Sequence, residues 1–379
     1  MRSTCHTWTL SLRRLALYLG GFLGPFGTVL IVPMFPELRA EFDASSSAVS
    51  LGFSLYMVPF AVALLFSGTM GERLGRRRTV RATYILYAVA SLAAALAPSL
   101  AIFVAARALQ GVANAFITPL LLAGLAEMVP EERFGREVGI YSSFQALGAG
   151  LGPLVGGLAA DTAWQGAFVG TAIVAALLAV VPPDGEPRAG LSAPTLRPLF
   201  NRQMVLLGLA FFLMAAGPVG VAVLVGVAAR DVLELSGTTT GVILLGGALS
   251  AMALGPVWGW VLDRYGARRI AAPVILASSG ATAVLAFGGA GWSLGLLWVV
   301  GGATAAFVVV VFQSLGATIV PDNRGGALSF LLSFRFLGHA AGPALFVPLI
   351  DSATSLTFVL AGCLGLAALA ATTTALRDA

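Results

Sequence analysis

The feature that most constrains this chain is a succession of uncharged stretches, each long enough to cross a lipid bilayer. A helix rises about 1.5 Å per residue, so a hydrocarbon core of roughly 30 Å takes about 20 apolar residues. Uncharged runs fall at 15–36, 44–71, 82–126 (interrupted by Arg107), 138–160, 162–183, 203–229, 235–262, 270–321, 325–350 (interrupted by Arg335) and 352–376. Two are long enough for two spans each: 82–126 breaks at Ala97-Pro98-Ser99, and 270–321 at Gly288-Gly289-Ala290-Gly291. Eight single runs and two doubles predict twelve transmembrane helices. Nothing alternates with the period of a membrane β-barrel, so the expected class is an all-α integral membrane protein. The run after Arg13-Arg14 is 22 residues long and leads into further spans, which suits an uncleaved first helix better than a signal peptide.

Charge supports the same solvent. Only 10% of the 379 residues are charged, against roughly 25% in a soluble globular chain. That excludes a cytosolic enzyme, a secreted disulfide domain and a disordered tail. All 22 basic residues are arginine, and 18 of them fall on the side shared by both termini. The opposite side holds Arg39 and Arg230, while Arg107 and Arg335 lie inside spans. This bias predicts cytoplasmic termini and a multi-pass protein of the cell membrane. The arginines sit in short clusters between apolar runs, so the pI of about 9.8 reflects a membrane partner and not nucleic acid. Cys5 and Cys363 have no disulfide or metal spacing, and His6 and His339 are too few for a metal centre. Without Lys there is no phosphate-binding G-x-x-x-x-G-K-[ST] loop. No cofactor is expected beyond a proton gradient, the partners are the bilayer and a small solute, and the expected state is a monomer.

The chain also repeats itself. Gly68, Glu72, Arg73 and Gly75 recur 191 residues later as Gly259, Asp263, Arg264 and Gly266. Pro130, Arg133 and Gly135 recur as Pro321, Arg324 and Gly326 at the same interval. At 190 residues, Gly148, Gly152 and Pro153 are matched by Gly338, Gly342 and Pro343. The prediction is two six-helix bundles, 1–182 and 203–379, joined by a Pro-rich cytoplasmic linker at 183–202. Parallel repeats meeting at the membrane midplane form a rocker around a central cavity.

These residues resemble the major facilitator superfamily over the whole chain. The loop after span two matches its G-x-x-x-[D/E]-R-x-G-R-R signature, with Glu72 where Asp is usual, and continues to Arg76 and Arg77. Span four carries Arg107, Gln110 and Gly111 of an R-x-x-Q-G motif. Gly139, Gly148, Gly152-Pro153 and Gly156-Gly157 in span five are similar to the motif of drug/proton antiporter branches. The resemblance implies transport by alternating access, as a proton-coupled exporter of small organic molecules, and a cytoplasmic latch between the 68–76 loop and the start of span eleven.

Residue chemistry names the candidates. Glu72 can accept from Arg76, with Glu127 as a second acceptor; Thr318 in the place of Glu127 leaves the Asp263–Arg264–Gly266 counterpart weaker. Arg107 near mid-membrane must face protein or water, and Gln110, Gly111 and Asn114 share or border its face, so the expectation is a polar cavity wall. Arg335 and His339 stand four apart in span eleven, with Arg335 in the place of Gln145; His339 is the candidate proton-sensitive group. Gly148, Gly152 and Gly156 form a small-residue ridge, expected to pack span five against the other half with Pro153 softening the helix. No acidic residue lies at mid-span, which turns the expectation toward neutral or anionic solutes. Import of a small organic anion or sugar is the alternative within transport, and a non-transporting receptor or scaffold is the alternative outside it.

Overall fold

The computed structural model describes residues 2–187, 199–320 and 324–377. Residues 188–198 of the expected linker and Pro321 of the repeat therefore lie outside the described residues. In chain order the helices are α1 Arg2–Val29, α2 Phe35–Phe42, α3 Ser46–Leu74, α4 Arg76–Ala95, α5 Leu100–Met128, α6 Glu131–Ala160 and α7 Trp164–Val180. The second half continues with α8 Arg202–Ala216, α9 Ala222–Val227, α10 Gly237–Tyr265, α11 Ala267–Val284, α12 Gly291–Ile319 and α13 Arg324–Arg377. The last is two helices merged across a kink at Ala353, whose φ of −152° and ψ of 55° are not helical.

Several boundaries follow from side-chain chemistry at the ends. Ser45, Ser99, Asn201 and Ser236 each accept a hydrogen bond from the amide three residues on, capping α3, α5, α8 and α10. The turns into α4 and α11 are made by Gly75 and Gly266, with φ of 93° and 77°, a backbone region costly for any residue with a Cβ. We call the end of the bundle that carries these two glycines the linker end, and the opposite one, with Asp43, Asp161 and Arg230, the far end.

Among the described residues, eight helices are long and apolar enough to cross a membrane, and Trp164–Val180 and Arg202–Ala216 are shorter apolar helices. The remaining predicted spans are helical but less apolar. Arg76, Arg77, Arg78 and Arg81 occupy the start of α4, glycines dilute α6, and Gly217-Pro218 stops α8 early. The protein is thus an all-helical, multi-pass membrane protein.

The repeat has a physical counterpart in how helices touch. Gly111 of α5 lies against the Tyr56 carbonyl of α3, and 191 residues later Gly302 of α12 lies against the Gly247 carbonyl of α10. Gly148 and Gly152 of α6 press on the Phe22 and Phe26 carbonyls of α1, and Gly156 on the Leu30 carbonyl just past it. Their counterparts Gly338 and Gly342 of α13, with Pro343 beside them, press on the Phe212 and Ala216 carbonyls of α8. This corrects the expectation for the ridge, which packs within its own half. The seam with the second half is on another face of α6: Gly157 against Gly237, the Pro153 carbonyl against Gly241, and Gly150 beside Leu245 and Ala248. Small residues at both places let backbones approach where lipid supplies no hydrophobic drive.

A second seam joins α3 to α13. Ser54 donates to the Ala340 carbonyl at 2.7 Å, and the Phe60 and Phe336 rings meet edge to face at 4.6 Å. The apolar core divides unevenly. The far-end part of the second half (Val221–Ala229, Leu294, Trp298, Ala340, Phe346) is continuous with the core of the first half. Its linker-end part, built on Met204, Phe211, Ile275, Phe312 and Leu331, is a separate cluster. Toward the linker end α10 leaves Met252, Val257 and Trp260 exposed, and a Cβ on Gly139, Gly255 or Gly259 would meet nothing within 4 Å.

Candidate functional site

Arg107 sits where α1, α3 and α5 converge, with no accessible surface. Its Nε donates to the Gly52 carbonyl (3.2 Å), Nη1 to the Gly27 carbonyl (2.9 Å) and the Gln110 amide oxygen (2.7 Å), and Nη2 to the Thr28 carbonyl (3.1 Å). Gln110 passes the network on to Ser91 at 2.7 Å, and Ser91 donates to the Tyr87 carbonyl at 2.7 Å. The Tyr56 ring lies 4.5 Å from the guanidinium carbon. The planar fork of donors therefore serves to tie three helices through their carbonyls. The expected cavity wall is, in this structure, the interior of the first half. A charge in lipid is tolerable here because dipoles replace its water.

Asn114, two turns on from Arg107, is buried against Gly24 and meets the Tyr56 hydroxyl. Of the hydroxyls of Tyr84, Tyr87 and Tyr141, that of Tyr87 meets Tyr56, that of Tyr141 meets Thr118, and that of Tyr84 is buried with no hydrogen-bond partner among the described residues. Each presses on a glycine of α1: Tyr84 on Gly20, Tyr141 on Gly21 and Tyr87 on Gly27. Sequence reasoning missed these tyrosines; the close spacing of four glycines on one helix was the signal.

Arg335 and His339 are half-buried on α13. The Arg335 Nε donates to His339 Nε2 over 3.4 Å, a long hydrogen bond in which the imidazole accepts and so is neutral. The guanidinium also lies 5.1 Å from the Phe336 ring. Arg335 has no acidic partner among the described residues. No hydrogen bond or ion pair joins this pair to Arg107, and Gln145 is half-buried on α6.

At the linker end, Arg76 is 1% exposed and holds Glu72 through Nε at 2.6 Å. Both its terminal nitrogens hold Glu127, at 2.8 and 2.9 Å. Burial alone would lower the tendency of this guanidinium to stay charged; the hydrogen bonds and charges of Glu127 and Glu72 outweigh it and raise the pKa above the ordinary value. Arg76 also donates to the Asp184 carbonyl at 3.2 Å, so the start of the linker closes over the cluster. Gly71 packs on Leu120, and Gly68 faces Pro119. Arg73 is exposed. Gly325, at the start of span eleven where the expected latch would close, is exposed, and a Cβ there would meet nothing within 4 Å. In the second half Asp263 and Arg264 are exposed and make no ion pair among the described residues, and Thr318 bonds only its own helix, at the Leu315 carbonyl.

The far end holds a group that sequence reasoning did not single out. Arg39 of α2 grips Asp231 with both terminal nitrogens, at 3.2 and 3.1 Å, and also donates to Ser46 at 2.6 Å. Arg230 pairs with Glu37 and donates to the Leu235 carbonyl at 2.7 Å. Asp161, just past α6, accepts from the Gly237 and Thr238 amides at 2.7 and 2.8 Å and so caps α10 from the other half. Burial works to raise the pKa of this carboxyl, but the bonds from Thr238 and Gly237 and the charge of Arg230 lower it below the usual carboxylate range.

Comparison with known proteins fits this architecture. The family model of the Major Facilitator Superfamily matches residues 17–253 and, again, 207–378. Over 157 residues the chain is 30% identical to the drug efflux pump JefA of Mycobacterium tuberculosis, covering 41% of this chain and 31% of that one. It is 29% identical over 142 residues to the MFS antiporter QDR3 of Candida albicans, 37% of this chain and 20% of the other. With the uncharacterized MFS-type transporter YybF of Bacillus subtilis the identity is 31% over 164 residues, 42% of this chain and 41% of the relative. The matched stretch thus spans less than half the length of each of these relatives. Among solved structures, the nucleoside transporter NupG superposes with a TM-score of 0.78 at 14% identity, over 96% of this chain and 99% of that one; at that identity the likeness is one of fold. Two matches of one family model to successive parts of the chain, on a helical bundle that repeats its own contacts, place this protein in the major facilitator superfamily.

Proposed function

We propose that the chain is a secondary active transporter that works by alternating access, as a monomer without cofactor. In this reading twelve spans form two half-bundles, 1–182 and 203–379, on a cytoplasmic linker at 183–202, with both termini in the cytoplasm of a cell-membrane protein. It exports small organic molecules in exchange for protons that run down their gradient. One observation carries the reading: the core runs continuously across the halves at the far end, whereas the second half keeps a core of its own at the linker end. Halves joined at one end and independent at the other can rock about their seams. Beside that apolar contact, the far-end seam holds ion pairs, a helix cap and bare backbone, which water can replace when they part.

The absence of an acidic partner for Arg335 among the described residues favours a neutral or anionic solute over a cationic one. His339 beside it is the candidate for proton coupling, because protonation would end its acceptance from Arg335 and set two cations four residues apart. The same electropositive pair supports the second reading, uptake of a small organic anion.

The test is solute flux in proteoliposomes with inner and outer pH set independently. Accumulation driven by a proton gradient in the antiport direction supports export, and co-movement with protons selects uptake. Binding without flux under any gradient would sink both. Replacement of His339 by Gln is expected to flatten the pH dependence of flux while leaving the protein folded.

A further inference from the structure

On the outer face of the first half, at the linker end, two hollows share Arg81 and Ile85. One, of about 420 Å³, is lined by Arg77, Arg78, Arg81, Gly185 and Glu186. The other, of about 570 Å³, continues between α4 and α7 and is lined by Ile85, Ala88, Val89, Leu92, Ala176 and Val180. The first is ionic and the second apolar. Val89, Leu92 and Val180 are exposed side chains facing away from the bundle, at 58%, 42% and 72%.

The charges do not cancel. Asp184 is shared between Arg13 and Arg77, the latter at 3.8 Å. Arg81 uses its Nε on the Ala179 carbonyl at 3.3 Å, and Arg78 makes no ion pair among the described residues. Three guanidiniums thus face one lining carboxylate, Glu186. From Arg81 to Leu92 the helix rises about 16 Å, close to half the hydrocarbon core of roughly 30 Å. A positive hollow at headgroup height, opening into an apolar crevice as deep as one leaflet, has the dimensions of a single phospholipid.

From this juxtaposition we infer that Arg78 and Arg81, with the α4–α7 crevice, form a seat for one anionic glycerophospholipid, its phosphate on the arginines and an acyl chain along Val89, Leu92 and Ala176. Basic residues beside a span attract anionic lipid generally; the crevice is what makes this a site and not a film of charge. Because α4 leads directly from Arg76, a lipid held there would also brace the linker-end cluster. The inference rests on membrane residence alone, so it stands or falls separately from the direction or coupling of transport.

The experiment is native mass spectrometry of the full chain released from nanodiscs of phosphatidylcholine containing a minority of phosphatidylglycerol. One retained phosphatidylglycerol, in preference to phosphatidylcholine, is expected. Arg78→Gln and Arg81→Gln should each weaken retention about fivefold, as loss of one basic residue near an anionic surface does, and Arg81→Lys should keep it. Ala176→Phe leaves every charge in place and fills the crevice; it should lose the lipid as well. Retention unchanged in Ala176→Phe would overturn the seat in favour of surface attraction. Equal retention of the two lipids, or displacement by inorganic phosphate alone, would also overturn it. Should an arginine variant fail to insert, the Ala176→Phe and lipid-competition arms decide the question.

Discussion

Arg39 and Arg230 stand 191 residues apart, the interval of the internal repeat, and each grips an acid that lies beside the other. Arg39 holds Asp231, the neighbour of Arg230, and Arg230 holds Glu37, two residues before Arg39. The acids themselves are not related by the repeat, since Ala228 and Ala40 occupy the equivalent places. The two halves have kept the same basic residue and placed its partner on the opposite side of the seam. Such reciprocal pairs fix the register between halves while remaining breakable.

Charge reversal should expose this exchange. Arg39 is about a third exposed and Asp231 nearly buried, so we expect each reversal, Arg39→Asp or Asp231→Arg, to weaken far-end closure by about 1–2 kcal/mol after allowance for screening. The double variant should restore closure, read as the distance between spin labels on either side of the far-end seam. Failure of the double variant to recover would show that the pairs are bystanders.

Acidity at the far end should act through Asp161. Its proton affinity is lowered when the seam is closed, so its ionised form favours closing. That contribution is complete above the ordinary carboxyl value of about 4, and is lost as the pH falls through the lower value of the closed form. Closure measured against pH should therefore drop at the acid end in the parent, and that step should vanish in Asp161→Asn.

The two glycine faces of α6 predict different defects. Gly157→Leu puts bulk between α6 and the Gly237 backbone, so the protein should fold, and populate the state parted at the far end. Gly152→Leu strikes the Phe26 carbonyl within the half-bundle and should lower the thermal midpoint in detergent, as overpacking by about 1–3 kcal/mol would. Identical phenotypes for the two would remove the distinction.

Loss of Arg107 leaves the Gly27, Thr28 and Gly52 carbonyls without their shared donor. Arg107→Ala should abolish flux and cost about 3 kcal/mol in folding, with membrane insertion intact. Lys is not a substitute, because a point charge cannot span three carbonyls on two helices; flux restored by Arg107→Lys would count against the tie.

At the linker end, Glu72→Ala should alter transport rate without changing topology, since it removes one arm of the Arg76 cluster. Glu127→Gln, at a carboxylate 44% exposed, should have the smaller effect. Unaltered kinetics in both would reduce the cluster to a determinant of orientation.

Much of the architecture was legible in the run lengths. The breaks at Ala97-Pro98-Ser99 and Gly288–Gly291 fall between helices, as a stretch rich in turn residues must, and Gly75 and Gly266 make the turns their spacing implied. The direction in which side chains point was not legible. Helical spacing put Gly148, Gly152 and Gly156 on one face, but could not say which neighbour that face meets. Arg107 read as a cavity residue because charge in lipid suggests water, whereas three carbonyls satisfied it. Its place in the second half is taken by Trp298, whose indole donates to the Leu244 carbonyl at 3.3 Å, much as Arg107 donates to Gly52; only knowledge of the contact makes those two residues equivalents. The far-end pairs could have been found by asking why the two lone arginines of that side are themselves separated by the repeat interval.

The Tyr84 hydroxyl left over behind α1 carries one more consequence. Counted forward by 191, its neighbour Tyr87 becomes Ser278, whose hydroxyl is likewise buried without a partner among the described residues. Buried oxygens in want of partners draw solvent inward, so each half keeps one damp spot at a related depth of its interior. Radiolytic labelling by trapped water should therefore mark Tyr84, although lipid and protein screen it from the bulk.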